Sequence, residues 1–102
     1  MMFQVKLALL ALAVAPLVGQ EAAALYKTKC AACHGAEGAG KPALAGTNLL
    51  TAEAKKRPDA EVTAIIAEGG KKAKASHAFA KKGLTEKQVA SLLGHVRQLQ
   101  KK

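Results

Sequence analysis

Apolar positions in the last fifth of the chain, Val89, Leu92, Leu93, Val96 and Leu99, recur at a helical period, which predicts an amphipathic helix. Thr85 and Gln88 stand three residues apart just ahead of it, the spacing of a capping box that satisfies free backbone N–H groups at a helix start. Val62, Ile65 and Ile66 predict a shorter helix, with Asp59 as N-cap or first-turn acid and Gly69-Gly70 as its stop. Glu21 to Ala32 is alanine-rich, with Leu25 and Tyr26 apolar, and reads as a third helix. Between that N-terminal helix and the one opening near Asp59 lies a long segment punctuated by Gly35, Gly38, Gly40, Pro42 and Gly46, irregular to about Leu50. An unstructured stretch of that length in a small domain normally serves a function or wraps something. A basic loop, Lys71 to Gly83, precedes the final helix. No run reads as a strand, an internal repeat or a second domain, so the expected class is all-α.

The amino terminus follows a different pattern. Lys6 is followed by an apolar run from Leu7 to Val18, the layout of a secretory signal peptide and short for a membrane span. Residues 1–19 are therefore expected to be a leader, cut after Gly19 or as late as Ala24, leaving residues 20–102 as the mature domain. Pro16, Gly19 and Gln20 argue against an uncleaved anchor. The expected location is exported, in the periplasm, with no stable membrane insertion once the leader is gone.

Composition then asks for something the side chains do not supply. A domain of 83 residues buries a thin core and usually needs a metal, disulfide or cofactor to support it. This one has two aromatics, Tyr26 and Phe79, and no tryptophan. A bound prosthetic group would provide the missing apolar centre.

Cys30-Ala31-Ala32-Cys33-His34 supplies the means. C-x-x-C-H is the attachment signature of c-type haem. On a helix, residues three apart share a face, so both sulfurs reach the two vinyl groups of one ring, and the following imidazole binds the iron from the proximal side. Other uses of the five residues fit less well. A thioredoxin-like pair needs a preceding strand, whereas helix precedes Cys30. A structural zinc site needs further ligands at close spacing, and His77 and His95 are distant and unpaired in sequence. A Cys30–Cys33 disulfide would leave His34 without a purpose.

Helix, C-x-x-C-H, glycine-rich loop, short helix, loop and amphipathic helix, in that order, resemble a small class I cytochrome c over essentially the whole mature chain. Residues 23–35 (AALYKTKCAACHG) and Gly83-Leu-Thr-Glu-Lys-Gln-Val89 running to His95-Val-Arg-Gln-Leu99 carry the resemblance. It implies a cytochrome c-like all-α fold in which N- and C-terminal helices pack together around one covalently attached haem c. It also implies that a proline carbonyl after the motif accepts a hydrogen bond from the proximal histidine. Pro42 is the candidate for that contact. Phe79 is the candidate for packing on the haem. His95 stands where the family usually has an aromatic, so it is expected to pack against the first helix.

The chain departs from the family at the sixth iron position. Class I cytochromes usually place a methionine in the loop before the last helix, and here the methionines are Met1 and Met2 alone. The usual Met-Pro-x-Phe appears as Ser76-His77-Ala78-Phe79. Three distal arrangements follow: ligation by His77, an open or water-bound iron, or ligation by Lys74, Lys81 or Lys82 after loss of a proton. Histidine in place of methionine lowers the reduction potential.

Sixteen basic residues face seven acidic ones, and removing Lys6 with the leader leaves fifteen, a formal +8. Lys71, Lys72, Lys74, Lys81 and Lys82 crowd the loop expected to flank the haem edge. Such a surface suits docking of acidic redox partner proteins, steered by charge and weakened by salt. Nucleic acid is not expected, because the basic residues lack interleaved aromatics, and a monomer is. The function these residues imply is a periplasmic monohaem c-type cytochrome that carries single electrons between partners and is not an enzyme. The alternative is a gas-binding, sensing or peroxidase-like protein with an open distal iron, against which Arg57 and Arg97 fall outside the distal loop.

Overall fold

The computed structural model of the chain describes residues 17–44, 46–70 and 76–101, with side chains from Gln20 onward. Residues 1–16, which hold most of the expected leader, and Lys71, Lys72 and Lys74 of the basic loop lie outside the described residues. Among the described residues five α-helices follow in order: α1 Leu17–Lys29, α2 Ala31–His34, α3 Ala52–Lys56, α4 Asp59–Glu68 and α5 Glu86–Gln100. No strand forms among the described residues, where Lys41 and Leu44 make an isolated bridge. Among the described residues, no helix is long and apolar enough to cross a membrane.

Two of the expected helices form as the pattern predicts. Thr85 caps α5: its hydroxyl accepts from Gln88 N–H while the Gln88 side chain accepts from Thr85 N–H. α4 begins at Asp59 and ends where Gly69 turns left-handed at φ 87° and returns its N–H to the Ala64 and Ile65 carbonyls. The first helix differs. It starts earlier, at Leu17, and stops at Lys29, because Cys30 at φ −123° interrupts the helical backbone before α2. α3 was not foreseen. Thr51 caps it by accepting from Ala54 N–H.

α5 is the organising element, packing on α1 and on α4. The core joins Tyr26, Ile66, Phe79, Val89, Leu92, Val96 and Leu99. Four of the five positions expected to face inward on α5 are buried, Leu92 completely, whereas Leu93 stays half-buried. His95 meets Tyr26 with ring centres 4.8 Å apart, which is the packing against the first helix that its position suggested.

The far end of α5 ties the loops down. Arg97 Nε donates to Asp59 Oδ1 at 2.9 Å, and its other nitrogens donate to the Arg57 carbonyl and to Gln100. Buried Gln100 in turn donates to the Leu49 carbonyl at 2.9 Å. An exposed ion pair contributes little stability alone, about 0–1 kcal/mol. The set of directed bonds fixes α4 and the segment after α2 to α5. Arg97 is committed at this corner through its guanidinium, and Arg57 contributes its main-chain carbonyl.

Candidate haem site

The break at Cys30 shapes the site. Cys30 N still donates to the Tyr26 carbonyl at 2.8 Å, and Cys33 N and His34 N both donate to the Cys30 carbonyl. One tight turn therefore presents Cys30, half-buried, Cys33, exposed, and His34 together. Both cysteines are free thiols. Burial, with Cys33 adding to it, pushes the Cys30 thiol up to about 11. Redox and nucleophilic cysteines need the opposite, a pKa lowered toward neutrality, so the chemistry of a thioredoxin-like pair is disfavoured.

Two hydrogen bonds hold the residues around His34. The Tyr26 hydroxyl donates to the Gly35 carbonyl at 2.7 Å. Burial, then the neighbouring Cys30, pushes the phenol up to about 12, so it stays protonated and a donor throughout the neutral range. Gly40 N donates to the His34 carbonyl at 2.6 Å.

The His34 ring is 2.6 Å, Nδ1 to oxygen, from the Thr47 carbonyl. A carbonyl only accepts, so Nδ1 carries the proton and Nε2 keeps its lone pair for a metal. This corrects the expectation for Pro42. Pro42 is exposed in the turn where Leu44 N returns to the Lys41 carbonyl. The chain must complete that turn before it passes the imidazole, and the carbonyl it then presents belongs to Thr47. Nothing in the side chain of Thr47 advertised the contact, because every residue owns a carbonyl.

His77 stands opposite, its ring centre 6.2 Å from that of His34 and the planes tilted by 32°. Two imidazoles bound in line on opposite sides of one metal ion, each nitrogen about 2.0–2.1 Å from it and about 1.1 Å from its ring centre, would have centres about 6.2–6.4 Å apart. The observed ring separation is compatible with that arrangement. His77 sits in a turn whose next residue, Ala78, is left-handed at φ 59°. Phe79 N and Ala80 N anchor that turn to the Ile66 and Ala67 carbonyls at the end of α4.

Phe79 is buried in the core and meets the His77 ring edge-on, with centres 6.4 Å apart. The Lys82 ammonium lies 4.9 Å from the centre of the Phe79 ring. Lys81 and Lys82 are exposed beside this turn.

These residues fit a haem held through two thioethers: paired free thiols, an imidazole with the right tautomer, and a second imidazole whose ring centre lies 6.2 Å from the first. No curated protein and no solved structure matches the chain. The family model for cytochrome c does, over residues 19–100. That span takes in all the elements just described except the first two residues of α1 and Lys101, and the chain therefore belongs to the cytochrome c family, whose haem c is attached covalently through a cysteine pair spaced as Cys30 and Cys33 are.

Proposed function

We propose that this cytochrome is an exported, periplasmic carrier of single electrons, with its iron between His34 and His77. The observation that carries this reading is the 6.2 Å separation of the two imidazole centres. Bound haem c supplies one-electron exchange between ferric and ferrous iron. The chain's own contribution is to hold it. Cys30 and Cys33 fix it covalently, and His34 donates Nε2 while Nδ1 is committed to Thr47. His77 fills the position that methionine takes in relatives with the usual loop, and Phe79 packs beside it. A filled sixth position excludes substrates and favours electron transfer over turnover.

The optical spectrum of the ferrous holoprotein, recorded before and after carbon monoxide, tests this. A low-spin spectrum that carbon monoxide leaves unchanged supports the carrier. Rapid binding to a high-spin iron would overturn it and bring forward gas binding or peroxide chemistry.

The partner in this reading is an acidic redox protein docking on the lysines beside the distal turn, Lys81 and Lys82 together with Lys71, Lys72 and Lys74 in sequence. Exposed charges act chiefly on the association rate, and salt screens them. Lys81→Glu with Lys82→Glu is expected to slow second-order reduction by an acidic partner by about tenfold at low salt. The same variant flattens the dependence of that rate on ionic strength. Equal rates for variant and parent in stopped-flow measurements at low salt would remove this face from the docking site.

A further inference from the structure

The Thr47 contact to His34 is a built feature rather than a chance approach of a loop. The Thr47 hydroxyl donates to the Leu44 carbonyl at 2.7 Å and accepts from Lys41 N at 3.2 Å. It therefore clasps both ends of the Lys41–Leu44 turn and leaves its own backbone carbonyl aimed at the imidazole. From the other side, Gly40 donates its N–H to the His34 carbonyl and approaches Thr47 so closely that a Cβ there would lie 2.8 Å from Thr47 Oγ1. Leu49 N closes the loop on the Gly38 carbonyl at 2.7 Å. His34 is thus gripped at its main chain by Gly40 and at its ring by Thr47.

The bond to the ring has an electronic consequence. An imidazole that donates Nδ1–H to a carbonyl is a more basic ligand at Nε2 and is fixed in orientation. A more basic ligand favours the ferric state, so the strength of this bond shifts the reduction potential. We propose that Thr47 is the positioning residue of the proximal side, its hydroxyl latch tuning the potential by holding the carbonyl against His34. This rests on the haem reading of the site but not on the identity of the sixth ligand.

The test uses the holoprotein with Thr47→Val, which keeps the shape and removes the hydroxyl, and Thr47→Ser, which restores it. The valine variant should raise the midpoint potential, changing the oxidised-to-reduced ratio against a fixed reference couple by about threefold or more. Exchange of the His34 Nδ1 proton with solvent, read by NMR, should quicken in the same variant. The serine variant should match the parent in both. Thr47→Ala serves in place of valine if the latter does not fold. An unchanged potential and exchange rate in the hydroxyl-free variant, or a serine variant that shifts as far, would overturn the proposal. The carbon monoxide response of each variant separates the two questions, because a parent that binds the gas refutes His77 ligation while the Thr47 comparison still stands.

Discussion

Replacing His77 with alanine will turn a haem that ignores carbon monoxide into one that binds it. A gas that competes with an internal ligand meets only the fraction of molecules in which that ligand is off, and its apparent affinity falls by that fraction. If His77 is dissociated about one time in a hundred or less, its removal raises the apparent affinity about a hundredfold or more. The same change should convert the ferrous spectrum from low to high spin.

The turn itself is expected to survive the substitution, which makes the result interpretable. Three backbone bonds anchor it: Phe79 N to the Ile66 carbonyl, Ala80 N to Ala67, and Leu84 N to Phe79. None depends on the imidazole. Ala78 at φ 59° holds a conformation that costs a residue with a Cβ about 1–2 kcal/mol, and these surrounding bonds hold it there. A His77→Ala protein with unaltered helicity but a gas-binding iron would therefore report ligation alone. Identical carbon monoxide titrations for variant and parent would take His77 off the iron, whatever the ring separation.

How far the sequence disclosed this arrangement depended on whether the deciding physics was local. The capping box at Thr85 and Gln88 and the glycine stop at Gly69 act within one turn of helix, and both form as read. The apolar repeat of α5 also survives folding, since one face of a helix buried against two others needs little more than its period. The kink at Cys30 does not follow from helix propensity. Ala31 and Ala32 would continue α1 beyond Lys29, and the break comes from the turn that gathers Cys30, Cys33 and His34. α3 went unread although Thr51 ahead of Ala-Glu-Ala is a recognisable start, because five residues give too short a pattern to stand out.

The site was legible where side-chain chemistry carries it and opaque where the main chain does. Two thiols and an imidazole at fixed spacing announce a haem. His77 stands out as a candidate because it occupies the loop where the family usually has a methionine, and the structure brings its ring within 6.2 Å of that of His34. The partner of His34 was placed at Pro42, and the structure gives it to Thr47. No side-chain type signals a carbonyl, and the register of a glycine-rich loop is decided by close backbone approaches that composition does not encode. The same holds for Tyr26, legible as a core aromatic but not as the donor that fixes Gly35.

Gly40 is where those close approaches concentrate, and Gly40→Ala is the substitution expected to cost most stability in the loop. Its φ of 79° already penalises a Cβ, by about 1–2 kcal/mol. The new carbon would also meet Asn48 N and Thr47 Oγ1 at 2.8 Å and Asn48 Cα at 3.0 Å. Asn48 N and Cα are backbone atoms and cannot rotate away, so the 47–48 segment must shift. Overpacking of that kind adds about 1–3 kcal/mol, for a combined loss of about 2–5 kcal/mol out of the 5–15 typical of a small domain. Gly46 provides the comparison. It shares a left-handed φ of 80° but has nothing within 4 Å of a built Cβ, so Gly46→Ala should lose only the conformational part. Denaturant midpoints of the two holoproteins, compared at equal slope, measure the difference directly. The shift has a second reading, because moving Thr47 draws its carbonyl away from His34. Gly40→Ala should therefore raise the reduction potential as Thr47→Val does, while Gly46→Ala leaves it alone. Equal midpoints and equal potentials for the two alanine variants would mean that the loop yields without strain, and that the grip on His34 is looser than its 2.6 Å bonds imply.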